Sequence, residues 1–322
     1  MTETMASSMA ATAERGARIL GEIERVMVGK RESVALVLLG ILASGHILIE
    51  DLPGLGKTML ARSFATVLGL EFTRVQFTPD MLPTDLTGAA VLDPRTGEVV
   101  FRPGPVFTNL LLGDEINRTP PKTQAALLEA MAEGQVSADG HTHPLPQPFI
   151  VLATDNPIEY EGTYPLPEAQ LDRFTARIRL GYLDEEGEAE MARRRLDRGS
   201  APPRLAQVTD AATLLAMRES LEGVHLDDDL LGYVVRLVAA TRSHPQVSVG
   251  ASPRGTLALI QLARGRAALG SRDYVTPEDV KAVAVPALAH RLVLLPEMWV
   301  RKVTGEDIIQ EILASEPVPR AE

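Results

Sequence analysis

Between Ile47 and Thr58 an apolar run, Ile47-Leu48-Ile49, enters a loop with two glycines and leaves it at Gly56-Lys57-Thr58. A helical pattern follows from Met59 to Leu68. Strand, glycine loop and helix in that order form a preformed anion site, because loop N–H groups and the helix N-terminus converge there. Lys57 can reach the β- and γ-phosphates of a nucleotide, and the Thr58 hydroxyl can bind Mg2+. Pro53, Gly54, Leu55, Gly56 and Met59 belong to the same expected cradle. The usual pattern has a first glycine where Asp51 stands. Aspartate tolerates left-handed backbone better than most residues, so the turn can survive. Its carboxylate is expected to point away from the phosphates.

A second stretch, Leu110-Leu111-Leu112-Gly113-Asp114-Glu115, delivers two carboxylates at the end of a buried strand. Open α/β sheets bind ligands at that edge. Asp114 can hold Mg2+, and Glu115 can polarise the water that attacks a γ-phosphate. A third apolar run, Phe149 to Thr154, ends in Asp155 and Asn156. Asn156 could hydrogen-bond the γ-phosphate or the water, but Asn-Pro is also an ordinary turn, and spacing alone favours the turn. His141 and His143 would share a face of one strand; with no cysteine and no third ligand in sight, a solvated hairpin is the better reading.

These groups need a scaffold. Helices are expected at 12–27 and 31–44, the second apolar nearly all round and therefore buried. Phe72 to Phe77 alternates as a strand, and Thr84 to Gly88 reads as a turn. Two hairpins are expected, one with arms at 89–92 and 98–101, the other turning at Asp139-Gly140. A helix over 119–133 separates them, and Gly69 and Gly134 read as helix stops. Glu159 to Pro167 is a polar, proline-bearing loop, Ile178 to Leu180 a short last strand, and 184–199 a charged helix. Pro202 and Pro203 mark a linker, after which helical spacing recurs at 209–220, 227–243, 253–269 and 276–291 with no convincing strand. The expectation is an α/β fold with helices on both faces of a parallel sheet and hairpin inserts, followed by a small all-α lid. Residues 1–12 are expected to be disordered, 13–200 to form the nucleotide-binding core and 201–322 the lid.

The chain has 322 residues, a net charge of −11 and no cysteine. Disulfides and cysteine-based metal sites are thereby excluded. Neither half carries the basic excess of a protein that grips nucleic acid. The N-terminus lacks the basic-then-apolar order of a signal peptide, and the longest apolar stretch, Val34 to Ala43, is too short for a bilayer. A cytoplasmic protein is expected.

The intervening residues add a resemblance. Glu50-Asp51-Leu-Pro-Gly-Leu-Gly-Lys-Thr58, the run from Gly113 to Met131 and the run from Ala153 to Phe174 resemble the MoxR family of AAA+ ATPases, as does Gly250-Ala-Ser-Pro-Arg254. The likeness covers roughly residues 15 to 295 in the same order. It implies that Lys57 and Thr58 are Walker A and that Asp114 and Glu115 are Walker B. It makes Asn156 sensor 1, against the turn reading. It makes Arg173, in Leu-Asp-Arg-Phe, an arginine finger offered to the neighbouring subunit, and Arg254 a sensor 2 that reaches the γ-phosphate from the lid. Val28-Gly29-Lys30 resembles the adenine-side box, with Lys30 where the family often has Gln; Asp155 likewise replaces a common Gln. The hairpins match inserts that place the family near magnesium chelatases and MCM-type helicases.

The implied cofactors are ATP and Mg2+, and the implied assembly is a ring, expected to be a hexamer. The implied activity is ATP hydrolysis coupled to remodelling or maturation of a client protein, with a von Willebrand factor A domain protein as partner. Two alternatives stand beside it: a nucleic-acid motor, which the acidic charge disfavours, and a nucleotide-gated scaffold with negligible turnover.

Overall fold

The computed structural model describes residues 2–138, 140–157 and 162–319. Asp139 of the expected hairpin turn, and Glu159 at the start of the expected loop, lie outside the described residues. The chain opens with α1 (Thr2–Glu24) and α2 (Arg31–Leu42), then β1 (Ile47–Glu50) and α3 (Lys57–Leu68). β2 (Phe72–Gln76) and the short α4 (Pro83–Thr87) lead into a hairpin of β3 (Gly88–Leu92) and β4 (Val99–Pro103). β5 (Leu110–Asp114) and α5 (Pro121–Glu133) precede the second hairpin, β6 (Gln135–Ala138) with β7 (His141–Pro144). β8 (Ile150–Asp155), α6 (Glu168–Leu171), β9 (Ala176–Ile178) and α7 (Glu185–Arg198) follow.

The main sheet runs β2-β5-β8-β1-β9, and every pairing in it is parallel. Strand alternation divides the core in two. Ile47, Ile49, Leu110, Leu112, Ile150 and Leu152 pack on one face with α1, α2 and α3. Leu48, Leu111, Val151 and Ala153 pack on the other with Leu127, Leu128 and Met131 of α5. Successive side chains of a strand point to opposite faces, so one apolar run serves both layers. Gly69 and Gly134 end α3 and α5 with φ of 63° and 61°, the left-handed stop that glycine permits.

The lid comprises α8 (Ala211–Leu221), α9 (Asp228–Ser243), β10 (Val247–Val249), α10 (Pro253–Leu269), α11 (Pro277–Leu288), β11 (Val293–Leu294), α12 (Glu297–Arg301) and α13 (Gly305–Ser315). Asp210, Asp227, Ser252, Thr276 and Thr304 each accept a backbone N–H at the start of a helix. The lid is not a separate globule. Its Leu214, Leu221, Leu259, Leu262 and Val283 belong to the same apolar cluster as Ile19, Ile23, Val37 and Ile47. Among the described residues no helix is long and apolar enough to cross a membrane.

Three expectations are corrected. Residues 2–12, expected to be disordered, continue α1. Met9 is buried and the Thr12 hydroxyl lies 3.0 Å from that of Ser220, so the tail extends the face of Ile19 and Ile23. The lid, expected to be all-helical, contains the antiparallel pair β10–β11, whose three and two residues are too short to show a period. Residues 84–88, expected to be a turn, lie mostly in α4, which Pro83 opens at its first position.

The two hairpins meet. Phe101 of β4 stacks on His143 of β7, ring centroids 3.9 Å apart, and packs edge-on against Phe107. Val91, Leu92, Val99 and Val100 stay exposed on the first hairpin.

Candidate nucleotide site

The loop after β1 is a cradle because two of its residues hold backbone that only glycine adopts freely: Gly54 has φ +86° and Gly56 φ +92°. Asp51 is not in the left-handed region and is anchored away from the cradle. Its Oδ2 accepts the N–H groups of Leu180 and Gly181 at 2.5 and 2.7 Å, beyond the end of β9. The backbone carbonyl of Asp51 faces inward and accepts the Lys57 ammonium at 2.6 Å. Burial lowers the Lys57 pKa, while the negative charges of Asp51, Asp114, Glu115 and Asp155 pull the other way. A buried ammonium resting on one carbonyl has spare donors for an oxyanion.

A cavity of about 670 Å³ opens over this loop. Pro53, Gly54, Gly56, Lys57, Thr58 and Met59 form one wall; Asp114, Glu115 and Asn156 form the facing one. The three polar groups stand together because β5 and β8 are parallel neighbours in register, Leu112 beside Leu152 and Gly113 beside Ala153. Leu55, Val28 and Gly29, expected at the site, do not line the cavity. Val28–Lys30 is instead docked on the chain beyond β9, where Lys30 Nζ donates to the carbonyls of Gly181 and Tyr182 at 2.9 and 2.7 Å.

The acidic pair is held by groups that the sequence did not reveal. Thr154 donates to Asp114 Oδ1 at 2.7 Å and accepts the Glu115 N–H at 2.8 Å. Arg74 donates to Asp114 Oδ2 through Nη2 and Nε at 2.7 and 3.2 Å. Glu115 sits at φ 57°, ψ 54°, a left-handed conformation that costs a non-glycine residue about 1–3 kcal/mol. Its Oε2 accepts from Gln76 at 2.7 Å and from Arg118 at 3.1 Å. The faint signal for Arg74 and Gln76 was the polar alternation of Phe-Thr-Arg-Val-Gln-Phe, which puts 74 and 76 on one strand face. Thr154 gave no signal beyond its place at a strand end.

Arg173 and Arg254 are elsewhere. With Asp172 and Arg291 they line a second cavity of about 290 Å³ that shares no residue with the first. Arg173 precedes β9, and the N–H of Thr175 donates to His46 O just before β1. β9 and β1 are parallel, so Arg173 lies by the edge where β1 begins and Lys57 beyond the edge where it ends. Four strand residues, roughly 13 Å, separate the two edges. Arg254, expected to reach the γ-phosphate from the lid, is carried by the lid to the edge of the sheet opposite Lys57.

Comparison with known proteins places the chain. Residues 46–176 match the model of the ATPase family associated with various cellular activities (AAA), and residues 239–312 match an AAA lid domain. The protein Chaperone MoxR1 of Mycobacterium tuberculosis is 42% identical over 98% of this chain and 85% of its own length. The chain belongs to the MoxR family of AAA+ ATPases. YeaC of Bacillus subtilis, an uncharacterized protein, is 48% identical over 92% of each chain. The crystal structure of a candidate ATPase from Cytophaga hutchinsonii superposes with a TM-score of 0.92 at 38% identity, covering 99% of both chains. The parallel sheet with its helical lid is thus a MoxR-type AAA+ fold.

Proposed function

We propose that this MoxR-family protein binds and hydrolyses ATP in a ring whose sites are each built from two subunits, and that turnover drives remodelling or maturation of a partner protein. One observation carries the reading: Lys57, Asp114, Glu115 and Asn156 share a cavity at one edge of the sheet, while Arg173 and Arg254 share another at the opposite edge. Within one chain Arg173 and Arg254 stand away from that chain's own cavity, so a neighbouring copy would supply them.

In this reading the loop N–H groups and Lys57 hold the phosphates. Glu115 takes the proton of the attacking water, and Asn156 orients that water or the γ-phosphate. The Thr58 hydroxyl and the Asp114 carboxylate line the same cavity and are the hard oxygen donors that Mg2+ prefers. Among the described residues no group of three or more His, Cys, Asp or Glu could hold a metal ion. Mg2+ held by Thr58 and Asp114 would supply Lewis-acid stabilisation of the developing charge. Arg173 and Arg254 of the next subunit contribute charge at the γ-phosphate, worth on the order of 10³ to 10⁵ in rate in related phosphoryl transfers. The family resemblance would put Val28 and Gly29 on the adenine side, beyond the residues that line the cavity.

The chaperone-like part rests on the name that MoxR1 carries and on the apolar tip of the first hairpin, which offers exposed valines and leucine to a protein client. A von Willebrand factor A domain partner, a hexameric ring and a cytoplasmic location follow from the family resemblance.

Glu115→Gln and Lys57→Ala test the chemistry. The first should keep ATP binding and lose turnover by about 10²- to 10⁴-fold; the second should lose nucleotide affinity itself. Unchanged turnover in Glu115→Gln removes Glu115 as the base, and normal affinity in Lys57→Ala removes the phosphate-loop assignment.

A further inference from the structure

The short strap Asp172-Arg173-Phe174 joins α6 to β9, and most of its polar ties come from the lid. Ser252, which caps α10, donates its hydroxyl to both Asp172 oxygens at 3.0 and 2.9 Å. The same hydroxyl accepts the backbone N–H of Arg254 at 3.1 Å. Arg291, in the turn after α11, donates to the Asp172 carboxylate, to the Asp172 carbonyl at 2.6 Å and to Phe174 O at 2.7 Å. His290 Nε2 also meets Phe174 O at 3.0 Å. From the core side, Arg173 donates to Leu128 O.

Two guanidinium groups, those of Arg291 and Arg254, thus lie within 4 Å of the Asp172 carboxylate, and Arg173 follows it in the strap. The two are not equivalent. The Arg291 side chain is 2% exposed and bonded to Asp172, Phe174 and Ala287. Arg254 is 59% exposed and only 3.9 Å from Asp172 Oδ2, near enough to be steered but not consumed. A Cβ on Gly255 would come within 3.2 Å of the Arg291 Cδ, so glycine there lets α10 close onto Arg291.

We propose that Asp172 is a positioning residue: with Arg291 as its buried counter-ion and Ser252 as its link to α10, it orients Arg173 and Arg254 together toward the nucleotide of the next subunit. The inference rests on the two-subunit site proposed above. Asp172 touches neither substrate nor reacting atoms; it acts through the two arginines. It also ties the angle of the lid to the geometry of the finger, since its partners lie at the start of α10 and after α11. Arg291, with its side chain turned inward, holds the strap and does not meet the neighbour.

Subunit mixing tests this. Asp172→Ala alone should keep its nucleotide affinity and lose turnover by on the order of 10²-fold, the cost of misplacing a catalytic group by about 1 Å. Glu115→Gln alone should be inactive while its arginine face stays intact. Mixed, the two variants should recover turnover well above either alone, because Asp172→Ala subunits still own a working Lys57–Glu115 cavity. Arg173→Ala mixed with Glu115→Gln is the control. Recovery in both mixtures supports the inference. Recovery with Arg173→Ala but not with Asp172→Ala overturns it and leaves the shared site standing. Recovery in neither mixture overturns the shared site and the inference with it. If Asp172→Ala does not fold, Asp172→Asn, which keeps the shape and one acceptor, takes its place, with an expected loss of about tenfold and the same criterion in the mixture.

Discussion

Arg74 donates both Nε and Nη2 to a single oxygen of Asp114, the proposed Mg2+ ligand. The same Nη2 donates to Gln76 Oε1 at 3.0 Å, and Gln76 in turn donates to Glu115. One strand face therefore touches both acids. Arg74 is a cation beside the proposed Mg2+ ligand, so in the proposed site it would compete with the metal. The Arg74 side chain is 46% exposed, and such pairs contribute only about 0.2–1 kcal/mol. Arg74→Ala should lower the Mg2+ concentration needed for half-maximal nucleotide binding by up to about five-fold. An unchanged or raised Mg2+ requirement would show that Arg74 assists the metal or ignores it.

Thr154 is fully buried and bridges Asp114 Oδ1 to the Glu115 N–H. Thr154→Val keeps the shape but strands a buried acceptor and a donor, at a cost of about 1–3 kcal/mol. Thermal unfolding of the nucleotide-free protein should register the loss. Thr154→Ser should retain most of the stability, and an equal loss in both variants would mean that the methyl group matters, not the hydroxyl.

Stability should depend on pH through two groups of opposite sign, the half-buried Asp155 and the buried His46. Burial, helped by the charge of Glu50, pushes Asp155 up to about 6. A raised carboxyl stabilises the fold below its unfolded pKa near 4, and that contribution is lost as pH rises through 6. Burial pushes His46 down to about 4; its Nε2 faces Met131 O and its Nδ1 accepts from Val151 N. A lowered imidazole contributes stability above about 6.5 that is lost as pH falls through 4. The two partly cancel between pH 4 and 6.5. Asp155→Asn should therefore stabilise the nucleotide-free protein at pH 8 by on the order of 3 kcal/mol and leave it unchanged near pH 4. Denaturant melts at both pH values decide the matter; equal gains at the two would contradict the assignment.

Much of the fold and half of the site could be read before the structure, for a local reason. The glycines at 54 and 56, the lysine after them and the helix stops at 69 and 134 act within a few residues of themselves, so sequence neighbours report them. The acids at 114 and 115 were legible because a buried strand announces its own end. Arg74, Gln76 and Thr154 were not, since they meet those acids only through the lateral order β2-β5-β8, which connects residues about 40 positions apart. The place of Arg254 was hidden for the same reason: helical spacing fixes which face of α10 is apolar, not which edge of the sheet α10 covers. The start of α1 is not legible because its serines and threonines, which favour caps and turns, mask the alanines and methionines among them.

In the proposed ring, one active site needs two chains. ATP turnover per subunit, measured against protein concentration for the natural chain and for Arg173→Ala, tests it most directly. Specific activity should rise with concentration to a plateau, while Arg173→Ala stays low throughout with nucleotide affinity intact. Constant turnover per subunit, matched by Arg173→Ala, would mean that a single chain carries a complete site.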